Sequence, residues 1–368
     1  MRWLVMKAAL LSAPCLVFLF ELALVKRFVR PSRRAFEWFC AIGLIAACKF
    51  VGFGFFGGDG FNPELPVWVI VLWGWLESVV WVGLPVGVTA LVLAAVSKRV
   101  RRVAFPSAVV VSSLFAGYGM WEGVRTPPLV EKEVVVSGLP SGFDGYRIAH
   151  LSDIHCSSAA RRGKIAAIVE RTNAAAPDLV AITGDLVDGF PPERADDLEP
   201  LKDLRAPDGV LVCTGNHEGY FDISAWEPYY RRWGLGLLRN RWTVIRRGSS
   251  ALAVGGEDDR VFGGESPRLM EESAPAGGFR VLMRHQPLVH EYGGLPSGVG
   301  LQLSGHTHGG AMPVLSAFVA KANEGRVRGL YREGDTVVHV SPGTGQWAGF
   351  PLRFFNPPEI TVLVLRRR

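Results

Sequence analysis

Residues Ser304–Gly310, which read SGHTHGG, place two histidines one residue apart between small neighbours. They follow the apolar run Val299–Leu303, which is typical of a buried strand. In a loop that leaves a strand, this spacing allows the imidazoles of His306 and His308 to converge, and the glycines allow ligands to approach the backbone closely. The stretch therefore predicts part of a metal site, whose other ligands must come from elsewhere in the chain.

Composition divides the 368 residues into two parts. Residues 1–130 contain 13 Lys and Arg against 6 Asp and Glu, whereas residues 131–368 contain 27 against 28. Because the excess of positive charge belongs to the first part alone, no nucleic-acid partner is inferred. All eight histidines lie after residue 149, so metal or acid–base chemistry is expected in the second part.

Residues 1–124 are predicted to form a transmembrane region with about four helices. Apolar runs of about 20 residues are long enough to cross the hydrocarbon core, and most charges here lie between such runs. The third run contains Glu77, which is either functional or a carboxylate held in a pocket between helices. The predicted spans are 4–25, 36–56, 65–96 and 104–120.

Basic loops predict the orientation of these spans, because cytoplasmic loops of membrane proteins are rich in Lys and Arg. The domain after Met120 is then expected on the extracytoplasmic side of the cell membrane. The two basic loops, after the first and third spans, contain Lys26, Arg27, Arg30, Arg33 and Arg34, and Lys98, Arg99, Arg101 and Arg102.

The rest of the chain is predicted to be one α/β domain, residues 131–368, joined by a linker at residues 125–130. Short β-branched runs alternate with helical stretches, which is typical of this fold class. Helices are expected at Ile165–Asn173 and Ser224–Trp233. The expected strands are Glu131–Ser137, Arg147–Leu151, Leu179–Thr183, Val210–Thr214, Ala251–Gly255, Arg280–Met283, Val299–Leu303, Val337–Val340 and Ile360–Leu365.

Polar side chains follow five of these strands at the point where each strand ends. In an α/β sheet the carboxyl ends of the strands share one edge, so these side chains can assemble there. One such segment alone is equally well explained by a turn or a helix cap, but five together favour a metal centre. The segments are Ser152–His155, Gly184–Asp188, Gly215–Glu218, Arg284–Pro287 and Gly305–His308.

Other histidines and two cysteines lie outside this pattern. His150, His290 and His339 match none of the five segments and are expected to be structural. Cys156 and Cys213 adjoin two segments, and both are expected to be small buried side chains. A disulfide between them remains open if the segments converge.

The order of the matched residues resembles the calcineurin-like metallophosphoesterase superfamily, and in particular its membrane-anchored bacterial phosphodiesterases. The motifs cover about residues 146–310, and Pro313, Gly343–Gly345 and Pro351–Arg353 match later segments. The resemblance implies a two-sheet β-sandwich flanked by helices. Ala311 stands where glutamine is common and Pro342 where arginine is common, which places substrate contacts in doubt but no metal ligand.

The resemblance also implies two divalent ions and a role for each matched residue. The mixture of carboxylate, imidazole and amide oxygen suits Mn²⁺, Fe or Zn²⁺. His217 would protonate the leaving oxygen or stabilise phosphoryl charge, Glu218 would orient its imidazole, and Asp188 would bond groups around the ligands. One ion would be held by Asp153, His155, Asp185 and His308, and the other by Asp185, Asn216, His285 and His306.

The implied reaction is phosphoester hydrolysis, of a diester more than a monoester, by a hydroxide that bridges the ions. The membrane anchor favours a membrane-associated substrate, such as a phospholipid, a lipid-linked nucleotide sugar or an envelope polymer, so phosphoester and lipid bilayer are the expected partners. A lipid-linked nucleotide pyrophosphatase is one alternative, but its cytosolic substrate conflicts with the predicted orientation. The second alternative is a membrane-anchored phosphate-binding sensor without turnover. The complete ligand set argues against this alternative.

Overall fold

A computed structural model describes residues 2–29, 33–96, 98–263, 266–275 and 277–368. Arg30 of the predicted basic loop lies outside them. The chain forms two compact units. The first unit comprises Met1–Gly123 together with Ala348–Arg353, and the second comprises Val124–Trp347 and Phe354–Arg368.

Five helices form most of the first unit. Parts of the last two, Val67–Leu93 and Val103–Val124, are long and apolar enough to cross a membrane. The second and third bend by 62° at a short break, and the pair adds a third candidate if it is one span. The described residues thus give two or three candidate spans, and the arrangement with four stays a prediction. The helices are α1 Arg2–Leu24, extended by a π-helical stretch Val25–Val29, α2 Arg33–Ala47, α3 Lys49–Gly57, α4 Val67–Val96 and α5 Lys98–Val124.

Two of the charged side chains buried among these helices face each other. Lys49 begins α3, Glu77 lies inside α4, and Lys49 Nζ is 2.5 Å from Glu77 Oε2. Taking a charge out of water is tolerated when an opposite charge compensates it. Glu77 was expected to be either functional or a carboxylate held in a pocket between helices. The structure shows it in such a pocket.

Twelve strands of the second unit form two six-stranded mixed sheets. The order in the first sheet is β1-β12-β2-β3-β4-β5, and in the second it is β10-β11-β9-β8-β7-β6. The strands are β1 Leu129–Val136, β2 Arg147–Leu151, β3 Leu179–Thr183, β4 Val210–Cys213, β5 Leu235–Leu237, β6 Arg241–Arg247, β7 Ser250–Gly256, β8 Phe279–Met283, β9 Val299–Ser304, β10 Gly329–Glu333, β11 Thr336–Val340 and β12 Ile360–Arg367.

Helices flank these sheets, so the expected α/β fold with two sheets is confirmed. The outer face of the first sheet packs on helix residues such as Ile165 and Trp226, while its inner face joins the second sheet in one core with residues such as Ile148 and Leu301. Alternate residues of a strand point to opposite faces, so a short apolar strand serves both layers. The helices are α6 Arg162–Ala174, α7 Pro191–Leu198, α8 Asn216–Tyr220, α9 Ile223–Arg232, α10 Ser266–Glu272 and α11 Pro313–Ala322.

Parallel pairing places side by side the strand ends that are followed by the predicted ligands. Strands β2, β3 and β4 are mutually parallel neighbours in the first sheet, and β8 and β9 are parallel neighbours in the second. All nine predicted strands are present within about two residues of their expected bounds. The strands β5, β6 and β10 were not predicted, since they carry weak apolar alternation and lie at sheet edges.

Candidate metal centre

Seven predicted ligands follow the ends of β2, β3, β4, β8 and β9, and six of them, all but Asn216, come together in space with His217. Three overlapping groups place one ligand atom from each member within 4.8 Å of the others. Asp153, His155, Asp185 and His285 are at most about 2% exposed. The groups are Asp153 with His155 and His308, Asp185 with His285 and His306, and His155 with Asp185 and His217.

The backbone at these positions has an unusual conformation. Non-glycine residues with φ near +50° are uncommon, and each costs on the order of 1 kcal/mol or more relative to right-handed backbone. Such conformations persist where the surrounding structure forces them, and they concentrate at functional sites. Five predicted ligands adopt them, namely Asp153 (φ 53°), His155 (49°), Asp185 (54°), His306 (69°) and His308 (48°).

Glycines next to two ligand segments allow the loops to approach one another. A Cβ atom on Gly305 would lie 1.8 Å from Ser152 Oγ and 2.3 Å from Asp153 Oδ2. A Cβ on Gly215 would lie 2.2 Å from Asp185 Oδ1. No side chain fits at such distances, so glycine at these two positions is required for the ligand loops to meet.

Ligand atoms with lone pairs face one another across the centre. The Nε2 atoms of His155 and His308 are 3.0 Å apart, and His308 Nε2 is 3.5 Å from Asp153 Oδ1. On the other side, His285 Nε2 lies 3.3 Å from His306 Nδ1. Asp185 Oδ2 lies 3.2 Å from His285 Nε2 and 3.8 Å from His155 Nε2, so its carboxylate stands between the two sides.

The donor set fits divalent cations. The Oδ1 atom of Asn216 is buried and has no hydrogen-bond partner in the part of the chain described, which would cost about 1–3 kcal/mol without a ligand. Burial alone would raise the pKa of Asp185, but the imidazoles of His285 and His217 outweigh it and hold that pKa well below its ordinary range. An ionised carboxylate between imidazoles, with a free amide oxygen nearby, can bind Mn²⁺, Fe or Zn²⁺.

His217 is held at the edge of the cluster. Its backbone N–H donates to Asp185 Oδ1 at 2.8 Å, and its Nδ1 lies 2.6 Å from Asp188 Oδ1. Burial lowers the pKa of this imidazole, but the charges of Asp185 and Asp188 outweigh burial and raise it to about 9. A protonated imidazole beside the cluster can donate a proton or stabilise negative charge, and the third group also allows it to contact a cation.

Two acidic neighbours have different tasks. Asp188 Oδ1 is 2.8 Å from His155 Nδ1, so one oxygen serves both His155 and His217 and leaves each Nε2 available. The expectation that Glu218 orients His217 is not met, because its carboxylate accepts hydrogen bonds from three backbone amides instead. These come from Asp185 N at 2.8 Å, Leu186 N at 2.7 Å and Gly215 N at 2.7 Å. Glu218 therefore fixes the two ligand loops to each other.

Two contributors were not predicted from sequence. The carbonyl oxygen of Thr183 lies 2.7 Å from His285 Nδ1 and orients that ring. Tyr220 is 37% exposed and its ring centroid is 5.3 Å from that of His217, so it can meet a bound substrate. A backbone carbonyl leaves no sequence signal, whereas an aromatic residue three positions after His217 could have been noted.

The remaining histidines and the cysteines lie outside the three groups. His150 and His339 face each other in the core with their Nδ1 atoms 2.8 Å apart, and His290 is exposed near Glu333. Cys156 and Cys213 are both buried free thiols. The disulfide that was left open is therefore absent between these two described residues.

A family model and several curated relatives point to the same family. Residues 146–310 match the family model for calcineurin-like phosphoesterase. The chain is 30% identical over 268 residues to the uncharacterized metallophosphoesterase YkuE of Bacillus subtilis, an alignment that covers 68% of this chain and 89% of that one.

Two animal relatives are longer. A transmembrane protein with metallophosphoesterase domain from Danio rerio is 32% identical over 273 residues, covering 71% of this chain and 62% of the relative. The putative metallophosphoesterase F40B5.2 of Caenorhabditis elegans is 33% identical over 272 residues, an alignment that covers 70% of this chain and 56% of the relative. The matched part thus spans about three fifths of these two relatives. Together the matches show that the chain belongs to the calcineurin-like metallophosphoesterases, a family of metal-dependent phosphoester hydrolases.

Proposed function

We propose that this protein is a membrane-anchored phosphoesterase that uses two divalent metal ions, Mn²⁺, Fe or Zn²⁺, to hydrolyse phosphodiesters. The observation that carries the proposal is the pair of ligand groups on either side of Asp185, each with two imidazoles close to a carboxylate. One ion would be held by Asp153, His155, Asp185 and His308, and the other by Asp185, Asn216, His285 and His306.

When bound, such ions lower the pKa of a coordinated water and withdraw charge from phosphoryl oxygens. The chain's own residues supply the remaining steps. His217, with its Nδ1 beside Asp188, directs Nε2 to the substrate, where it donates a proton to the leaving oxygen or stabilises phosphoryl charge. Asp188 holds His155 in the tautomer that leaves Nε2 available to a metal ion, and it stabilises the protonated ring of His217, whose Nε2–H would be the proton donor.

The membrane portion supports a proposal for the substrate class. We propose that residues 1–124 form the anchor with about four spans, residues 125–130 the linker and residues 131–368 the catalytic domain, outside the cytoplasm. Apolar helices in the first part support an anchor, as does the name of the Danio rerio relative. A catalytic domain tethered to the bilayer favours membrane-associated substrates, such as phospholipids, lipid-linked nucleotide sugars or envelope polymers.

An activity assay on the purified full chain tests the function. With Mn²⁺ present, we expect turnover of a phosphodiester faster than a phosphomonoester, and loss of turnover after chelation. Preference for a lipid-linked nucleotide pyrophosphate would instead support the pyrophosphatase alternative. Metal binding without turnover of any of the three substrates would support the sensor.

A reporter fused after Arg368 tests the side of the membrane. The basic residues at 26–34 and 98–102 predict that only a reporter active outside the cytoplasm gives a signal. A signal from a strictly cytosolic reporter would reverse the orientation and make a cytosolic lipid-linked nucleotide the better substrate.

A further inference from the structure

The segment Ala348–Arg353 lies late in the sequence but belongs to the first unit. All six of its residues are buried. The N–H of Arg353 donates to the carbonyl of Gly119 in α5 at 3.0 Å. A Cβ on Gly123, also in α5, would lie 2.4 Å from the carbonyl oxygen of Pro351. The segment is therefore packed closely enough against α5 that a methyl group would displace it.

The buried ion pair in the first unit also holds this segment. Lys49 Nζ donates to the carbonyl oxygen of Gly349 at 2.7 Å while it pairs with Glu77 at 2.5 Å. The same ammonium lies 5.2 Å from the ring centroid of Phe350 and 4.2 Å from that of Phe50. Lys49 thus makes charge, hydrogen-bond and cation–π contacts at once, and two of its partners lie in the late segment.

The chain on either side of the segment holds the ligand loops of the second unit. Before it, the N–H of Thr344 donates to Ser152 O at 2.7 Å and that of Gly345 to Asp153 O at 2.9 Å. After it, the N–H of Phe354 donates to Ala311 O at 2.8 Å, three residues beyond His308. Asp153 and Ala311 both have left-handed backbone, which the surrounding bonds must maintain.

We propose that Lys49 and Glu77 are positioning residues for the phosphoesterase reaction, because they fix Ala348–Arg353 and thereby the flanking bonds to the loops of Asp153 and His308. This inference rests on the proposed function. The helices of the first unit are then part of the machinery that maintains the metal centre, and they do more than attach it to a membrane.

The test compares two ways of releasing the segment in the full chain, in lipid nanodiscs with Mn²⁺. The first is the double variant Lys49→Met/Glu77→Leu, because replacing a buried ion pair by apolar residues of similar size often preserves stability. The second is Gly123→Ala, which displaces Pro351 and leaves the charges unchanged. Its matched control is Gly117→Ala in the same helix, where a Cβ would meet only Trp75 Nε1 at 3.9 Å.

The readouts are hydrogen exchange of residues 344–354 and the steady-state constants for a phosphodiester. We expect exchange at least about tenfold faster in both variants and kcat lower by about 10- to 100-fold, with KM changed far less, because ligand loops that shift by a fraction of an ångström lose their geometry. Gly117→Ala should leave both readouts at wild-type values. If the double variant fails to fold, Lys49→Arg takes its place, because it keeps the positive charge but changes the contacts with Gly349 and Phe350.

The inference would be overturned if hydrogen exchange and kcat of the variants both stayed at wild-type values. Faster hydrogen exchange with an unchanged kcat would also overturn it. In both cases the proposed function stands. A wild-type protein that turns over no phosphoester would defeat the proposed function. In that case exchange and Mn²⁺ content still decide whether the ion pair positions the loops, since loosened loops should also release Mn²⁺.

Discussion

The metal centre and the Lys49–Glu77 pair both bury charged groups, but in the pair a cation of the chain itself faces the carboxylate. Lys49 Nζ lies 2.5 Å from Glu77 and 2.7 Å from a carbonyl oxygen. In the centre, by contrast, imidazole nitrogens face one another at 3.0 and 3.3 Å. Imidazole nitrogens that face one another in a buried cluster favour a cation from outside the chain, whereas Glu77 already has the ammonium of Lys49 beside it.

The two clusters also differ in the backbone that carries them. Lys49 and Glu77 lie in helices, and neither has a positive φ. Asn216 begins helix α8, whereas five of the other proposed ligands adopt left-handed backbone. Positive-φ backbone therefore helps to distinguish a reactive site from a structural charge pair. Strained backbone is maintained where a ligand or a reaction requires it.

The largest expected effect comes from Asp185→Asn. This carboxylate stands between the two ligand groups, so the variant should lose most of its metal and at least about 10³ in turnover, because removal of a shared ligand weakens both sites. Metal analysis of the purified full chain and a diester assay measure both. Asp208→Asn is the matched control, because Asp208 contacts Tyr146 and Arg247 instead of the ligands.

Wild-type metal content in Asp185→Asn would break the comparison, since the cluster would then not depend on this carboxylate. A loss of metal in the Asp208 variant as well would point to general destabilisation. Only a loss confined to Asp185 identifies it as the shared ligand.

Much of the site could be predicted because its signals are local. Each ligand segment follows a short apolar strand, and parallel strands bring such ends to one edge. The five segments therefore predict one cluster even though residues 153 and 308 are far apart in sequence. The apolar length of α4 and α5 predicts candidate spans for the same reason, since composition alone carries the information.

Other features depend on contacts that no local pattern encodes. The Lys49 hydrogen bond joins residues 300 positions apart, and nothing near Gly349 indicates a partner in a helix. Glu218 was expected to orient the ring next to it, yet it binds backbone amides of another loop. Both outcomes are decided by tertiary packing, which determines which buried polar group finds which partner.

His217→Ala should have the next largest effect, and it separates ligands from the reacting residue. If His217 contacts substrate alone, the ions stay bound while turnover falls by about 10²–10⁴, because a proton donor or charge stabiliser is lost. Metal analysis and rates for p-nitrophenyl and alkyl diesters measure this. A smaller loss with the p-nitrophenyl ester indicates proton donation, because nitrophenolate leaves unassisted, and an equal loss indicates charge stabilisation.

Loss of metal from the same variant would place His217 among the ligands, as the group of His155, Asp185 and His217 permits. The assignment of the two ions would then need to change. Wild-type turnover would remove His217 from the reaction altogether.

Asp188→Asn should have the smallest effect, because it leaves every proposed ligand in place. Asp188 Oδ1 contacts the Nδ1 atoms of His155 and His217. Because the substitution removes the negative charge of this carboxylate, it should weaken Mn²⁺ binding by about 10- to 100-fold. Turnover should recover in part at saturating Mn²⁺. Equilibrium metal titration of the full chain measures the affinity, again with Asp208→Asn as control.

The same variant predicts a shift in the pKa of His217 in the metal-free protein. Burial lowers this pKa, and the carboxylates of Asp185 and Asp188 outweigh burial and bring it to about 9. Since a neutral amide no longer stabilises the imidazolium, Asp188→Asn should lower the pKa, and NMR titration of the histidine ring should show deprotonation at lower pH than in the wild type. An unchanged pKa together with unchanged Mn²⁺ affinity would mean that Asp188 does not couple to the centre, and its 2.6 Å approach to His217 would then be packing alone.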